Sequence, residues 1–331
     1  MPTPPHDVLI LGAGPAGIST ALWLRDFKIS CLLLERERQP GGQLHQIHAP
    51  IPNYLTAYGW DGARFAGVAL DDARAASLEI LVGEPVRRIV MERPARRGGA
   101  MKRSSPPSSS AAGVFRVDRG VRERLRASVV VLATGLSRRT LGVPGETELE
   151  GRGVSHSANR ERMRWAGRPV AVVGGGTAAV EDAVLCAEVG CEVTLIHHST
   201  RFRARNDFLQ RARANPHVKF VTNSEVRAVV GKERVEALRY RKRGTKRDET
   251  IAVDAVFVRI GWEPETSIVR GMVRLDRRGY MRVNPSGRTS TPGLYAVGDV
   301  CSPDAPSIAG AVGQGAAAAW DIARTLGRLP R

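Results

Sequence analysis

Three glycines, Gly12, Gly14 and Gly17, follow the apolar run Val8–Leu11 in the order G-x-G-x-x-G, with Pro15 and Ala16 between the last two. An acid, Glu35, closes the next apolar run, Cys31–Leu34. These residue types at this spacing bind a dinucleotide. Glycines let the backbone approach a pyrophosphate, the amides that open the following helix donate to it, and the acid accepts ribose hydroxyls. Glu35 lies 23 residues after Gly12, close to the offset of about 20 that the fingerprint needs.

The pattern recurs. Val170–Val173 leads into Gly174, Gly176 and Ala179, a G-x-G-x-x-A turn that includes Thr177 and Ala178. A helix carrying Glu181 is predicted through Val189, then a strand "EVTLIHH". No acid ends that strand. His197, His198, Arg201 and Arg203 stand there instead. A carboxylate would hold the free 2′-hydroxyl of NADH, whereas basic residues suit the 2′-phosphate of NADPH. In so basic a chain, any one of these arginines can equally be a solvated surface residue.

These turns need strands to hold them. Continuous apolar runs read as strands buried on both faces of a parallel sheet. Two more occur: "SVVVLATG", ending in Ala133, Thr134 and Gly135, and "GLYAVGDV", which contains Gly298 and Asp299 and precedes the helix "GAVGQGAAAAWDIARTL". The expected class is α/β. The chain has 331 residues, enough for two domains with their own cores. Its 42% hydrophobic content excludes a disordered chain. The segment 93–113 is rich in Pro, Ser, Gly and Arg and reads as a flexible hairpin loop without a core.

The formal charge is +17. It fits either a surface that attracts an acidic electron-transfer protein or an arginine-rich solvated face. No basic motif interleaved with aromatics supports nucleic acid as a partner. The four cysteines, Cys31, Cys186, Cys191 and Cys301, form no C-x-x-C and no zinc spacing, so free thiols in a reducing compartment are expected. "MPTPPHD" shows no signal-peptide pattern. No apolar run approaches the ~20 residues of a membrane span. A cytoplasmic protein without a membrane partner is the expectation.

In order, "GAGPAG", the loop "PGGQL" at Pro40–Leu44, "ATG" at Ala133, "GGGTAAVE" at Gly174 and "GDV" at Gly298 resemble the low-molecular-weight thioredoxin reductases over nearly the whole chain. The resemblance implies two Rossmann-like, three-layer β/β/α dinucleotide-binding domains, with an NADPH domain (140–264) inserted in an FAD domain (1–139 plus 265–331). It also implies a homodimer. FAD would then lie against Gly12, Gly14, Pro15, Ala16, Gly17, Glu35, Gly42, Gln43, Asn53, Ala133, Thr134, Gly135, Gly298 and Asp299, with Ser307 and Ile308 opening the helix aimed at the flavin. That helix terminus would stabilise an anionic reduced flavin. NADPH would lie against Gly174, Gly176, Thr177, Ala178, Glu181, His197, His198, Arg201 and Arg203.

Three positions depart from the family. Its redox "CATC" falls on Ser157 and Arg160. Neither side chain can cycle through a disulfide, so the dithiol relay is absent. The family's "HRR…R" reads His197, His198, Ser199 and then Arg203, with Arg201 new, and its "RQA" reads Pro306, Ser307, Ile308. Cys31, Cys186 and Cys191 read as buried small residues. Three residues remain as catalytic candidates. Cys301 closely follows Asp299. Arg160 could stabilise charge on a reduced flavin or be a surface arginine. His48, like His45, follows the GGQL loop and could donate protons or be a solvated loop histidine.

Three functions stay open at this stage. One is NAD(P)H to FAD to a non-thioredoxin acceptor such as ferredoxin, flavodoxin, a quinone or a small molecule. The ferredoxin–NADP reductases of this fold also lack the cysteine pair, though their C-terminal cover over the flavin has no counterpart before Arg331. The second is a disulfide or thioredoxin reductase fed by a donor other than NADPH. The third is a flavin-binding sensor that no longer turns over.

Overall fold

The computed structural model describes residues 6–83, 85–92, 113–120, 123–301 and 306–330. The chain first forms β1 (His6–Leu11), α1 (Pro15–Asp26), β2 (Cys31–Glu35), α2 (Gly62–Ala75), β3 (Glu79–Val82), β4 (Val86–Glu92), β5 (Val114–Arg119) and β6 (Glu123–Leu132). There follow β7 (Leu136–Arg138), β8 (Val154–Ser155), α3 (Ala158–Glu161), β9 (Pro169–Val173), α4 (Thr177–Glu188), β10 (Glu192–Ile196), α5 (Asn206–Ala214) and β11 (Val218–Val221). A meander of β12 (Ser224–Val230), β13 (Ala237–Lys242) and β14 (Glu249–Ala252) leads to β15 (Ala255–Val258), β16 (Trp262–Pro264), β17 (Leu294–Ala296) and α6 (Ile308–Thr325). The chain divides into two compact units. One comprises Met1–Ser137 and Glu263–Arg331, the other Arg138–Trp262.

The first unit is built on a sheet of order β3-β2-β1-β6-β5-β4, with β17 also on β6. β1 lies parallel to β2 and β6, so Ile10 faces Leu33 on one side and Val131 on the other. Alternate residues then serve opposite faces. Val8, Ile10, Val129 and Val131 pack under α1 and α6 with Ala318 and Ile322. Leu9, Leu11, Val130 and Leu132 pack against Phe115, Val117 and Leu125 of the antiparallel arm. Both faces are covered, which is why these strands read as unbroken apolar runs.

The two helices on the first face approach closely. A Cβ on Gly315 would stand 2.6 Å from Ala16 O, and Ser19 Oγ donates to Val312 O at 2.8 Å. β4 and β5 pair antiparallel from Val86–Arg119 to Glu92–Val114. Residues 93–112, the expected hairpin loop, lie outside the described residues.

The second unit repeats the plan with a parallel sheet of order β11-β10-β9-β15-β8 and the meander β12-β13-β14. On one face Val170, Val172, Leu195 and Phe257 pack with Val180, Ala183 and Val184 of α4. On the other, Ala171, Val173, Ile196 and Val256 pack with Val229, Leu238 and Tyr240 of the meander. No helix among the described residues is long and apolar enough to cross a membrane.

Candidate functional site

In the first unit the turn after β1 is pinned to the ends of its neighbours. Gly12 has φ +108°, and a Cβ there would overlap the Ala133 carbonyl. Only glycine can hold that conformation in that space. Gly17 is similarly closed in by the Gly12 carbonyl and by Ala133. The PGGQL loop lies on the turn: Gly41 N donates to Ala13 O at 2.8 Å, and a Cβ on Gly42 would stand 3.2 Å from Gly14 Cα.

Glu35 is buried beside this turn. Its Oε2 accepts from Ala13 N at 2.8 Å and its Oε1 from Glu37 N at 3.0 Å. Each carboxylate oxygen keeps a second lone pair for a ribose hydroxyl. Gln43 links the other walls. Burial pushes the Asp299 carboxyl up and Gln43 pulls it back down, and Gln43 Nε2 lies near Gly135. Gly298 packs against Ala16, and its N–H donates to Gln314 Oε1 at 2.7 Å. Thr134 Oγ1 donates to Glu265 O at 2.8 Å. Ser307 caps α6, its Oγ accepting from Gly310 N at 3.1 Å, so the helix starts at Ile308.

The first helix turn is free for an anion. α1 begins at Gly14 with Pro15 next and has no side-chain cap, and Gly14 has only Gly42 Cα near its Cβ position, at 3.9 Å. Uncapped amides over open space fit a pyrophosphate. The residues present therefore fit a flavin dinucleotide. Asn53 and His48 are exposed. His45 Nε2 is bonded to Pro40 O at 2.8 Å. Burial, with Asp299 adding repulsion, pushes the Cys301 thiol up to about 12. It is therefore a protonated thiol and not a ready nucleophile.

The second unit presents the matching turn. Gly174 has φ +149°, and a Cβ there would overlap Arg259 O. α4 starts at Gly176 without a side-chain cap, and nothing lies within 4 Å of the Gly176 Cβ position. Thr177 and Ala178 form its first turn, and Glu181 is half-buried one turn on. The loop after β10 is tied to this turn by Arg203 N to Gly175 O at 2.8 Å and Arg205 N to Thr177 Oγ1 at 3.1 Å.

The four basic residues of this loop do not share one environment. His198, Arg201 and Arg203 are exposed beside the turn. His197 is buried against Gly175, with Nε2 3.3 Å from Arg201 O and Nδ1 without a partner. Burial, then the charges of His198 and Arg203, pull its pKa down. His197 is therefore a neutral wedge under the turn, while His198, Arg201 and Arg203 stay exposed beside it.

The Ser157–Arg160 segment contains no sulfur. It is held by a buried ion pair: Asp182 Oδ2 lies 3.1 Å from Arg259 Nε and accepts from Ala158 N at 3.2 Å, while Arg259 donates to His156 O at 2.7 Å. Burial pushes the Asp182 carboxyl up to about 6, Arg259 opposing. Arg160 is 63% exposed and pairs with Glu161 at 2.5 Å. Gln314, Glu265, Asp182, Arg259 and Arg205 were not legible as site residues. Each joins the site through a partner distant in sequence, and the local pattern carries no signal for them. A cavity of about 540 Å³ lined by Arg87, Arg88, Arg119 and Arg124 lies at the start of β6, the opposite end of that strand from Ala133, and holds none of the expected residues.

The family model of the pyridine nucleotide-disulphide oxidoreductases matches residues 6–315. A thioredoxin reductase of Mycolicibacterium smegmatis is 33% identical over 324 residues, covering 97% of this chain and 96% of that protein. A bifunctional thioredoxin reductase/thioredoxin of Mycobacterium leprae is 34% identical over 325 residues, and there the chain spans 66% of the relative's length. The crystal structure of Lactococcus lactis thioredoxin reductase superposes with a TM-score of 0.76 at 27% identity, covering 98% of this chain and all of that one. With two glycine cradles of the expected geometry in one chain, these matches show that it belongs to the pyridine nucleotide-disulphide oxidoreductases, in the low-molecular-weight thioredoxin reductase-like group of flavin-dependent NAD(P)H oxidoreductases.

Proposed function

We propose that the protein carries electrons from NADPH through FAD to a diffusible acceptor other than thioredoxin, without a dithiol relay of its own. The observation that carries this reading is the segment at the family's cysteine positions. Ser157 and Arg160 stand there, clamped by Asp182 and Arg259. Bound FAD supplies the two-electron chemistry.

The chain's own residues bind and orient. The uncapped amides of α1, with Glu35 and Asp299, hold the flavin dinucleotide. The uncapped start of α4 takes the NADPH pyrophosphate, and His198, Arg201 and Arg203 take its 2′-phosphate. The start of α6 supplies partial positive charge to a reduced flavin. The +17 charge favours an acidic electron-transfer protein as acceptor, and the working form is a homodimer.

Anaerobic absorbance titration with NADPH and with NADH tests the donor half. Rapid bleaching of the flavin band by NADPH is expected. A band that dithionite bleaches but neither nucleotide touches rejects the reading. Steady-state assays then compare acceptors. Ferredoxin, flavodoxin or a quinone should turn over, and thioredoxin should not.

A further inference from the structure

The antiparallel arm of the first unit carries arginines that the dinucleotide cradle does not use. Val86 pairs with Arg119 and Arg88 with Asp118, so two steps along β4 match a single step along β5. Arg87 is the extra residue of this β-bulge. In a regular strand Arg87 would share a face with Ile89, which is buried in the core. With the bulge, Val86 takes the core-side place and packs against that core, whereas Arg87 and Arg88 are both exposed. Bulges re-aim side chains in this way.

The neighbouring strands complete the row. Arg88 pairs with Asp118, and Asp118 pairs with Arg124 of β6. Directly opposed residues share a face of the sheet, so two arginines flank one carboxylate. That carboxylate is already engaged, since Arg116 Nε donates to Asp118 Oδ1 at 3.0 Å. Glu123 is engaged likewise, accepting from Arg119 Nη1 at 2.9 Å. Among the described residues, Arg87, Arg88 and Arg124 enter no ion pair. Their charges are left for a ligand.

These side chains surround the cavity of about 540 Å³ at the start of β6. Among the described residues its lining is one glycine, Gly120, with four arginines and two carboxylates, and no apolar side chain. The volume suits a small ligand, since such sites run from about 300 to 1,000 Å³, but those sites are mostly apolar. This one offers nothing to a ring or a base, and several forked donors to oxyanions. The arginines stand on β4 and β6, two strand spacings or about 10 Å apart, which fits an extended anion better than a compact one. We propose that this cavity binds a linear polyphosphate, at the opposite end of β6 from the turn that would hold FAD. Arg87, Arg88 and Arg124 bind its phosphates, while Arg116 and Arg119 hold the two carboxylates in ion pairs. The site stands whether or not the acceptor reading above holds.

The test is isothermal titration of the flavin-loaded protein with inorganic tripolyphosphate, with NADP present in saturating amount so that the second glycine turn is filled. Tripolyphosphate should bind at one site, at least about tenfold more tightly than orthophosphate at an ionic strength of about 0.15 M, and more weakly as salt rises. ATP should bind no more tightly than tripolyphosphate, because the lining has nothing to hold its base. Arg88→Gln and Arg124→Gln should each weaken tripolyphosphate about tenfold, the loss of one charged hydrogen-bond donor. Arg227→Gln, in the second unit, should leave the affinity unchanged. Substitutions at exposed arginines spare the fold, and flavin content with circular dichroism checks each variant. Absence of binding, an affinity unchanged in the Arg88→Gln/Arg124→Gln double variant, or an equal loss in Arg227→Gln overturns the proposal.

Discussion

The imidazole of His197 lies against Gly175 so closely that a Cβ on the glycine would overlap its Cε1 and Nε2 and stand 2.5 Å from its Nδ1. The middle glycine of the second turn is therefore required by a side chain from the end of β10, and not by its own φ. Gly175→Ala should weaken NADPH binding about tenfold or more while FAD content is unchanged. Adding His197→Ala should recover much of that loss, with a coupling of about 0.5–3 kcal/mol, as expected for residues in contact. Isothermal titration of the two single variants and the double variant measures it, and strict additivity would refute the wedge.

Arg203 is exposed, and its backbone N–H is fixed to Gly175 O at 2.8 Å. The loop is thus held while the guanidinium remains available. Arg203→Gln should raise KM for NADPH roughly tenfold, about 1.4 kcal/mol, and leave KM for NADH unchanged. The salt dependence of NADPH binding should also flatten. Equal effects on both nucleotides would show that Arg203 acts on the fold and not on the 2′-phosphate.

Asp182 carries a pH signature. Its carboxyl is 3% exposed and raised from 3.8 to about 6, chiefly by burial. Between those values the folded protein binds more protons than the unfolded chain. Stability from this residue is therefore present at the acid end and lost as pH rises through about 6. Asn keeps the acceptor for Ala158 N but does not titrate. Relative to wild type, Asp182→Asn should gain up to about 3 kcal/mol across that window, read from urea unfolding at a series of pH values. A pH-independent difference would mean that Arg259 cancels the burial cost.

Cys301 should be inert. With its thiol pushed up to about 12, almost none is thiolate at pH 8. Alkylation in the native state should be slow and should rise with pH across the whole working range. Cys301→Ser should leave reoxidation of the reduced flavin unchanged. Stoichiometric labelling at neutral pH, or a lost acceptor activity in the serine variant, would restore it as a catalytic residue.

Much of this protein was legible in its sequence because the relevant interactions are local. The glycines at 12, 14 and 17 and at 174 and 176 act within one strand–turn–helix, and Glu35 and His197 end the very next strands. Strands such as β1 and β9 announce themselves as unbroken apolar runs because both faces of their sheets are covered. The missing sulfur at Ser157 and Arg160 is a fact of composition that no fold can alter. Tertiary structure alone decided the rest. Asp182 meets Arg259, and Gln314 meets Gly298, across separations that spacing rules do not span. His197 reads as a cation beside its neighbours, yet β10 delivers it under Gly175, where burial makes the neutral ring the stable form. The left-handed Gly190 folds the end of α4 back, so that Cys191 N bonds the Cys186 carbonyl five residues earlier. Local patterns fix which backbone shapes are affordable, whereas the charge state and partners of a side chain depend on what packs over it.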